Sequence, residues 1–161
     1  MPRVLTTVLL TEDALAEHDV DRVVHLHDPE PVRFHVLVPV DTRHNRLVEA
    51  LDELALGRLR EAVTDSGEQP PEQARVRAQA ALDASVSALR LAGAEVEGAL
   101  VGDNPVDDVV RTARELDADE VIVVTQPHLV EESLRRDWAS RIRGDLGRPV
   151  LHVVSGTDRV V

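Results

Sequence analysis

The stretch VIVVTQPHLVEESLRRDWASR, residues 121–141, joins a run of four aliphatic residues to a helical pattern. A strand running into a helix is where nucleotide-binding α/β proteins place glycine, so that backbone N–H groups can close on phosphate. Here the turn is Thr125-Gln126-Pro127-His128. Cβ atoms at these positions hold the backbone away from a phosphate and restrict positive φ. Pro127 also deletes a donor. Thr125 and His128 suit a small polar ligand instead, with capping of the following helix as the competing account.

The other chemistry-bearing residues form no recognisable constellation. There are seven histidines and no cysteine, which excludes thiol nucleophiles, disulfides and zinc-thiolate sites. His25 and His27 are two apart, a spacing that points them to different faces of a helix, so no metal site is expected. His35 and His152 fall in strand patterns, where a place at the core edge or in an interface suits them. Ser133 and Ser140 lie on a helical pattern without a nucleophile turn, and Ser155 follows the last strand, so no catalytic series is expected. The acid pairs Asp107-Asp108 and Glu131-Glu132 occupy first turns of helices, where the helix dipole accounts for them. Gly102-Asp103-Asn104-Pro105 could touch a ligand at a sheet edge, but reads first as a helix cap.

Composition narrows the partners. Acidic residues outnumber basic ones by 30 to 18, a net charge of −12 that repels nucleic acid and anionic membranes at long range. With one Phe, one Trp and no Tyr, the chain has few aromatic surfaces for stacking bases. No apolar run approaches the roughly 20 residues of a bilayer span, and the N-terminal stretch lacks a cleavage pattern, so a cytoplasmic protein is expected. The 161 residues suit a single domain, 1–161, with a core of Val, Leu, Ile and Ala.

The elements that must position these residues alternate from end to end. Strands are expected at 3–11, 32–41, 94–102, 120–125 and 150–155. Between them helical spacing aligns Ala16, Val20, Val23, Val24 and His27, with a strand at 21–27 as the competitor. Leu47, Leu51, Leu54, Ala55 and Ala62 form a second stripe, and a loop is expected at 64–71. Leu82, Val86 and Leu89 form a third stripe, in a helix over roughly 72–92 that ends near Gly93. Val106, Val109, Val110, Ala113 and Leu116 form a fourth, behind Asp103 or Asn104 as cap and Pro105 in the first turn. Val130, Leu134, Trp138 and Ile142 form the last. Apolar strands joined by helical crossovers imply an α/β three-layer sandwich around a parallel sheet.

Residues 101–125, VGDNPVDDVVRTARELDADEVIVVT, resemble the universal stress protein family, and WASRIRGDLGRPVLHVV resembles its last helix and final strand. The resemblance implies a five-stranded parallel open sheet of order 3-2-1-4-5, and a dimer. ATP-binding members carry Gly-x2-Gly-x9-Gly-Ser/Thr after the fourth strand. In this chain no glycine occurs from 103 to 143, and the last Gly and Ser/Thr align with Arg136 and Asp137. Thr125, Gln126, Pro127, His128, Arg136 and Asp137 therefore read as a degenerate loop, with no cofactor expected. The expected function is a dimeric, non-catalytic module acting in a stress response through protein contacts or a small ligand. An adenine-nucleotide binder with a rebuilt phosphate loop is the alternative, and a structural subunit of a larger complex a third reading.

The fifth strand, Val150, Leu151, His152, Val153 and Val154, would lie at a sheet edge without Lys, internal Pro or a fixed charge. Soluble proteins blunt or cover such edges. Antiparallel pairing with the same strand of a second copy is expected to cover this one and bury its valines, with Trp138 away from the seam.

Overall fold

The computed structural model describes residues 3–40, 71–102, 104–125 and 139–156. Its elements in chain order are β1 (Leu5–Thr11), α1 (Glu17–His25), β2 (Val32–Pro39), α2 (Pro71–Leu91), β3 (Glu95–Val101), α3 (Pro105–Glu115), β4 (Glu120–Thr125), a helical stretch at 139–146 and β5 (Val150–Val154). The stripe and loop expected between 44 and 71 lie outside the described residues, apart from the start of α2. So do Gln126, Pro127, His128, Val130, Leu134, Arg136, Asp137 and Trp138.

All four strand pairings are parallel, and the sheet order is β3-β2-β1-β4-β5. The expected order and class hold. The centre of the sheet is buried on both sides because β1 and β4 carry continuous apolar runs, Val8–Leu10 and Val121–Val124, rather than apolar residues at alternate positions. Thr7 to Thr11 and all of β4 are buried without a break. On one face Leu9, Val36, Ile122 and Val153 pack under α1 and α2, against Val20, Val23, Leu82 and Leu89. On the other, Val8, Leu10, Val121, Val123 and Val150 pack under α3 and the 139–146 stretch, against Val106, Val109, Ala113 and Ile142.

The local signals explain the helices. Asp19, in the first turn of α1, accepts a hydrogen bond from the Ala16 amide, while Arg22 and His25 sit in the last turn and oppose the dipole. That helix runs through 21–25, so the strand competitor fails. Its stripe is narrower than expected: Val20 and Val23 are buried, whereas Ala16 is an exposed N-cap and His27 lies in the turn beyond. Helix α2 ends at Gly93, whose φ of +92° is the left-handed region that a Cβ disfavours. Pro105 opens α3 behind Asn104, whose side-chain amide donates to Asp107 at 2.6 Å rather than capping the backbone. Leu116, expected on the buried stripe, is its exposed C-cap. Among the described residues no helix is long and apolar enough to cross a membrane.

Candidate functional site

Parallel strands deliver their carboxyl ends to one edge of the sheet, and the turn from one half of the strand order to the other opens a crevice there. In this chain that switch point falls between the carboxyl ends of β1 and β4, with β5 beside them. Strand alternation decides which face each terminal side chain meets. Thr11 and Ser155 point to the α1 side, and Thr125 and His152 to the α3 side.

On the α1 side the focus is Asp19, which is completely buried. The Ser155 hydroxyl donates to its Oδ2 at 2.5 Å, the Gly156 amide to Oδ1 at 2.8 Å and the Ala16 amide to Oδ2 at 3.3 Å. A buried carboxylate is tolerable only with donors of this kind around it. The Ser155 amide in turn donates to the Thr125 carbonyl at 2.7 Å, so the exit of β5 is fixed both to β4 and to α1. Thr11 donates to the Asp13 carbonyl at 2.7 Å, and the Leu15 amide to buried Ser85 at 3.0 Å, which closes the β1–α1 turn on itself and onto α2.

On the α3 side, Thr125 Oγ1 and His152 Nε2 are 2.7 Å apart, and both side chains are buried. Thr125 is thus committed to β5 rather than directed into the crevice. His152 is buried and bridges two strands. Of the degenerate-loop residues, Thr125 alone is described.

The opposite, amino edge holds a second polar group. Glu120 is buried and its Oε1 accepts from Thr7 Oγ1 at 2.9 Å, with His27 Nε2 2.5 Å from the same oxygen. Arg3 pairs with Asp119 beside it. Thr7 is wholly buried, so this cluster closes the floor of the sheet and offers no exposed nucleophile. His25 contacts the Asp21 carbonyl, and His35 lies 4.0 Å from Glu97. Among the described residues no group of three or more His, Cys, Asp or Glu could hold a metal ion.

Sequence reasoning missed Asp19, Glu120, Ser85 and the role of Ser155. A signal for Asp19 was present. It falls between Ala16, Val20 and Val23 on the stripe that helical spacing assigns to the core, and a carboxylate there demands donors from elsewhere in the chain. Nothing in sequence marked Ser155, 136 positions away, as one of them.

No protein-family model and no curated protein matches the sequence. Solved structures do. The universal stress protein of Archaeoglobus fulgidus in complex with dAMP superposes with a TM-score of 0.54 at 19% identity, covering 95% of this chain and 99% of that one. The fold is universal stress protein-like. A second structure of a universal stress protein from the same organism gives 0.53 at 18% identity, covering 92% and 93%. A universal stress protein in complex with cAMP gives 0.50 at 18%, covering 93% and 96%. At such identities the likeness is one of fold. Within this universal stress protein-like frame, the described polar groups at the carboxyl ends of β1, β4 and β5 bond largely to one another.

Proposed function

We propose that this chain is a universal stress protein-like module that does not bind ATP tightly, has no catalytic activity, and acts through protein contacts or a small ligand. The observation that carries this reading is the absence of glycine from 103 to 143, which spans the turn after β4. A phosphate cradle is built of backbone N–H groups, and every residue with a Cβ in such a turn narrows the approach. The carboxyl edge supports the same reading. Asp19 brings a carboxylate to the start of α1, and Ser155 and Gly156, which could otherwise donate to an anion, donate to it.

A second reading is favoured by the dAMP and cAMP complexes among the structural neighbours. It makes the chain an adenine-nucleotide binder with a rebuilt phosphate loop. Isothermal titration separates the two. ATP is expected to bind no tighter than about millimolar, roughly −4 kcal/mol, and protein purified without added nucleotide is expected to release almost none on denaturation. A micromolar constant, or near-stoichiometric ATP or AMP in the supernatant, reverses the order of the two readings.

A further inference from the structure

The sheet has a second edge, β3, and its chemistry differs from that of β5. Among the described residues strand β3 pairs only with β2, and the Val40 amide donates to the Val101 carbonyl at 2.8 Å. In a parallel ladder successive residues turn their backbone groups to opposite sides. Glu95, Glu97, Ala99 and Val101 therefore face β2, and Val96, Gly98 and Leu100 face outward. Arg90, in the last turn of α2, donates to the outward carbonyl of Val96 at 3.0 Å, which caps the start of the edge. The outward amides and carbonyls of Gly98 and Leu100 have no partner among the described residues.

Beside this open stretch, α2 overhangs the edge and leaves a mostly polar groove of about 340 Å³, lined by Gln79, Asp83, Ser87 and Arg90 together with Leu82 and Val86. A Cβ at Gly98 would lie 2.6 Å from Leu82 Cδ1 and 3.2 Å from the Val36 carbonyl oxygen, so a larger residue there requires Leu82 to shift. On the other face of the same strand, the Glu95 and Glu97 side chains are 64% and 76% exposed.

We propose that β3 is a strand-addition site for a short extended segment of a partner protein that carries Arg or Lys at alternate positions. The outward groups of Gly98 and Leu100 supply the main-chain hydrogen bonds of the added strand. Its basic side chains meet Glu97, and Glu95 beside its Arg33 partner, on the face away from α2, and the side chains between them lie over the groove. A second copy of β3 is the poorer occupant, since it brings acidic rather than basic side chains to this edge and two chains at −12 repel one another at long range. The same charge draws a basic segment towards this edge.

This inference deepens the protein-contact reading and rests on it. The two fail separately, because nucleotide affinity tests the crevice and peptide binding tests β3. The probe is a fluorescein-labelled peptide, Arg-Val-Arg-Val-Arg, titrated with the full chain and followed by anisotropy, with amide exchange by NMR on the same samples. Saturable binding is expected, with exchange slowed at Gly98 and Leu100 and unchanged in β5. In the Glu95→Lys/Glu97→Lys variant, whose substitutions are on the surface, affinity should fall about tenfold or more, and the Glu-Val-Glu-Val-Glu peptide should not bind the native chain. Absence of binding overturns the proposal, as does equal binding of the acidic peptide, or protection elsewhere than at Gly98 and Leu100. Protection of those amides that rises with protein concentration alone would assign the edge to a second copy, and also overturns it.

Discussion

Replacing Asp19 by Ala removes one buried carboxylate from three donors at once. The Ser155 hydroxyl and the Gly156 and Ala16 amides lose their acceptor, and the exit of β5 loses its tie to α1. Donors stripped of an acceptor in a buried site cost about 1–3 kcal/mol, so Asp19→Ala is expected to lower stability in urea by about 2–3 kcal/mol. Ser155→Ala leaves the carboxylate two amide donors and should cost about half as much. Equal losses, or no loss for Asp19→Ala, would mean that the network is not held as the geometry shows. This is also the scale at which sequence was least informative. Residue type and spacing placed His152 in a strand, and placed Thr125 at a turn, but not the 2.7 Å bond between them, because that bond depends on the β4–β5 register. Composition likewise marked Glu120 as one acid among many, when its burial beside Thr7 and His27 makes it the polar floor of the sheet.

Elements were far more legible, because periodicity reports burial directly. Runs such as Val121–Val124 are apolar at every position where both faces are covered, and the stripes of α2 and α3 follow helical spacing. The misreadings sit at element ends. Ala16, His27 and Leu116 were read on buried stripes, and each lies where a helix starts or has ended, so helical spacing no longer fixes its direction. Gly98 is a different case, since a glycine inside a strand pattern reads as a weak point until the neighbouring helix is seen. Its missing Cβ lets α2 lie close to β3, with Leu82 Cδ1, Val86 Cγ2 and the Val36 carbonyl oxygen within 3.2 Å of the vacant position. Gly98→Ala should therefore destabilise the protein by about 1–3 kcal/mol through overpacking. In a Leu82→Ala background the same substitution should cost clearly less, because the tightest contact is gone. A thermal-melt double-mutant cycle without coupling between the two positions would reject this account of the α2–β3 contact.

At the scale of the whole molecule, the two edges of the sheet share one device and differ in another. Each begins with an outward carbonyl held by an arginine from the helix before it: Arg90 on Val96 of β3, and Arg143 on Val150 of β5 at 2.9 Å. Around that cap β3 carries exposed Glu95 and Glu97, whereas β5 carries no charged residue, so self-pairing is expected at β5 rather than at β3. The structure alters what such a β5 dimer would contain. Val150, His152, Val153 and Val154 already bury their side chains inside their own chain, so pairing adds backbone bonds and little valine burial. Leu151 is the half-buried side chain that a partner could still cover. The register also selects the informative substitution. The Val121 amide donates to the Pro149 carbonyl and the Ser155 amide to the Thr125 carbonyl, so alternation turns the Val153 amide inward to β4. Val153→Pro would break the sheet itself and could not report on a seam. Leu151→Lys leaves the backbone intact and sets a charge on the edge, as natural sheets do to block pairing. Light scattering is expected to find twice the chain mass for the native protein, and a folded monomer with unchanged circular dichroism for Leu151→Lys. A native monomer, or a dimer that the lysine does not disturb, would place any self-association away from β5.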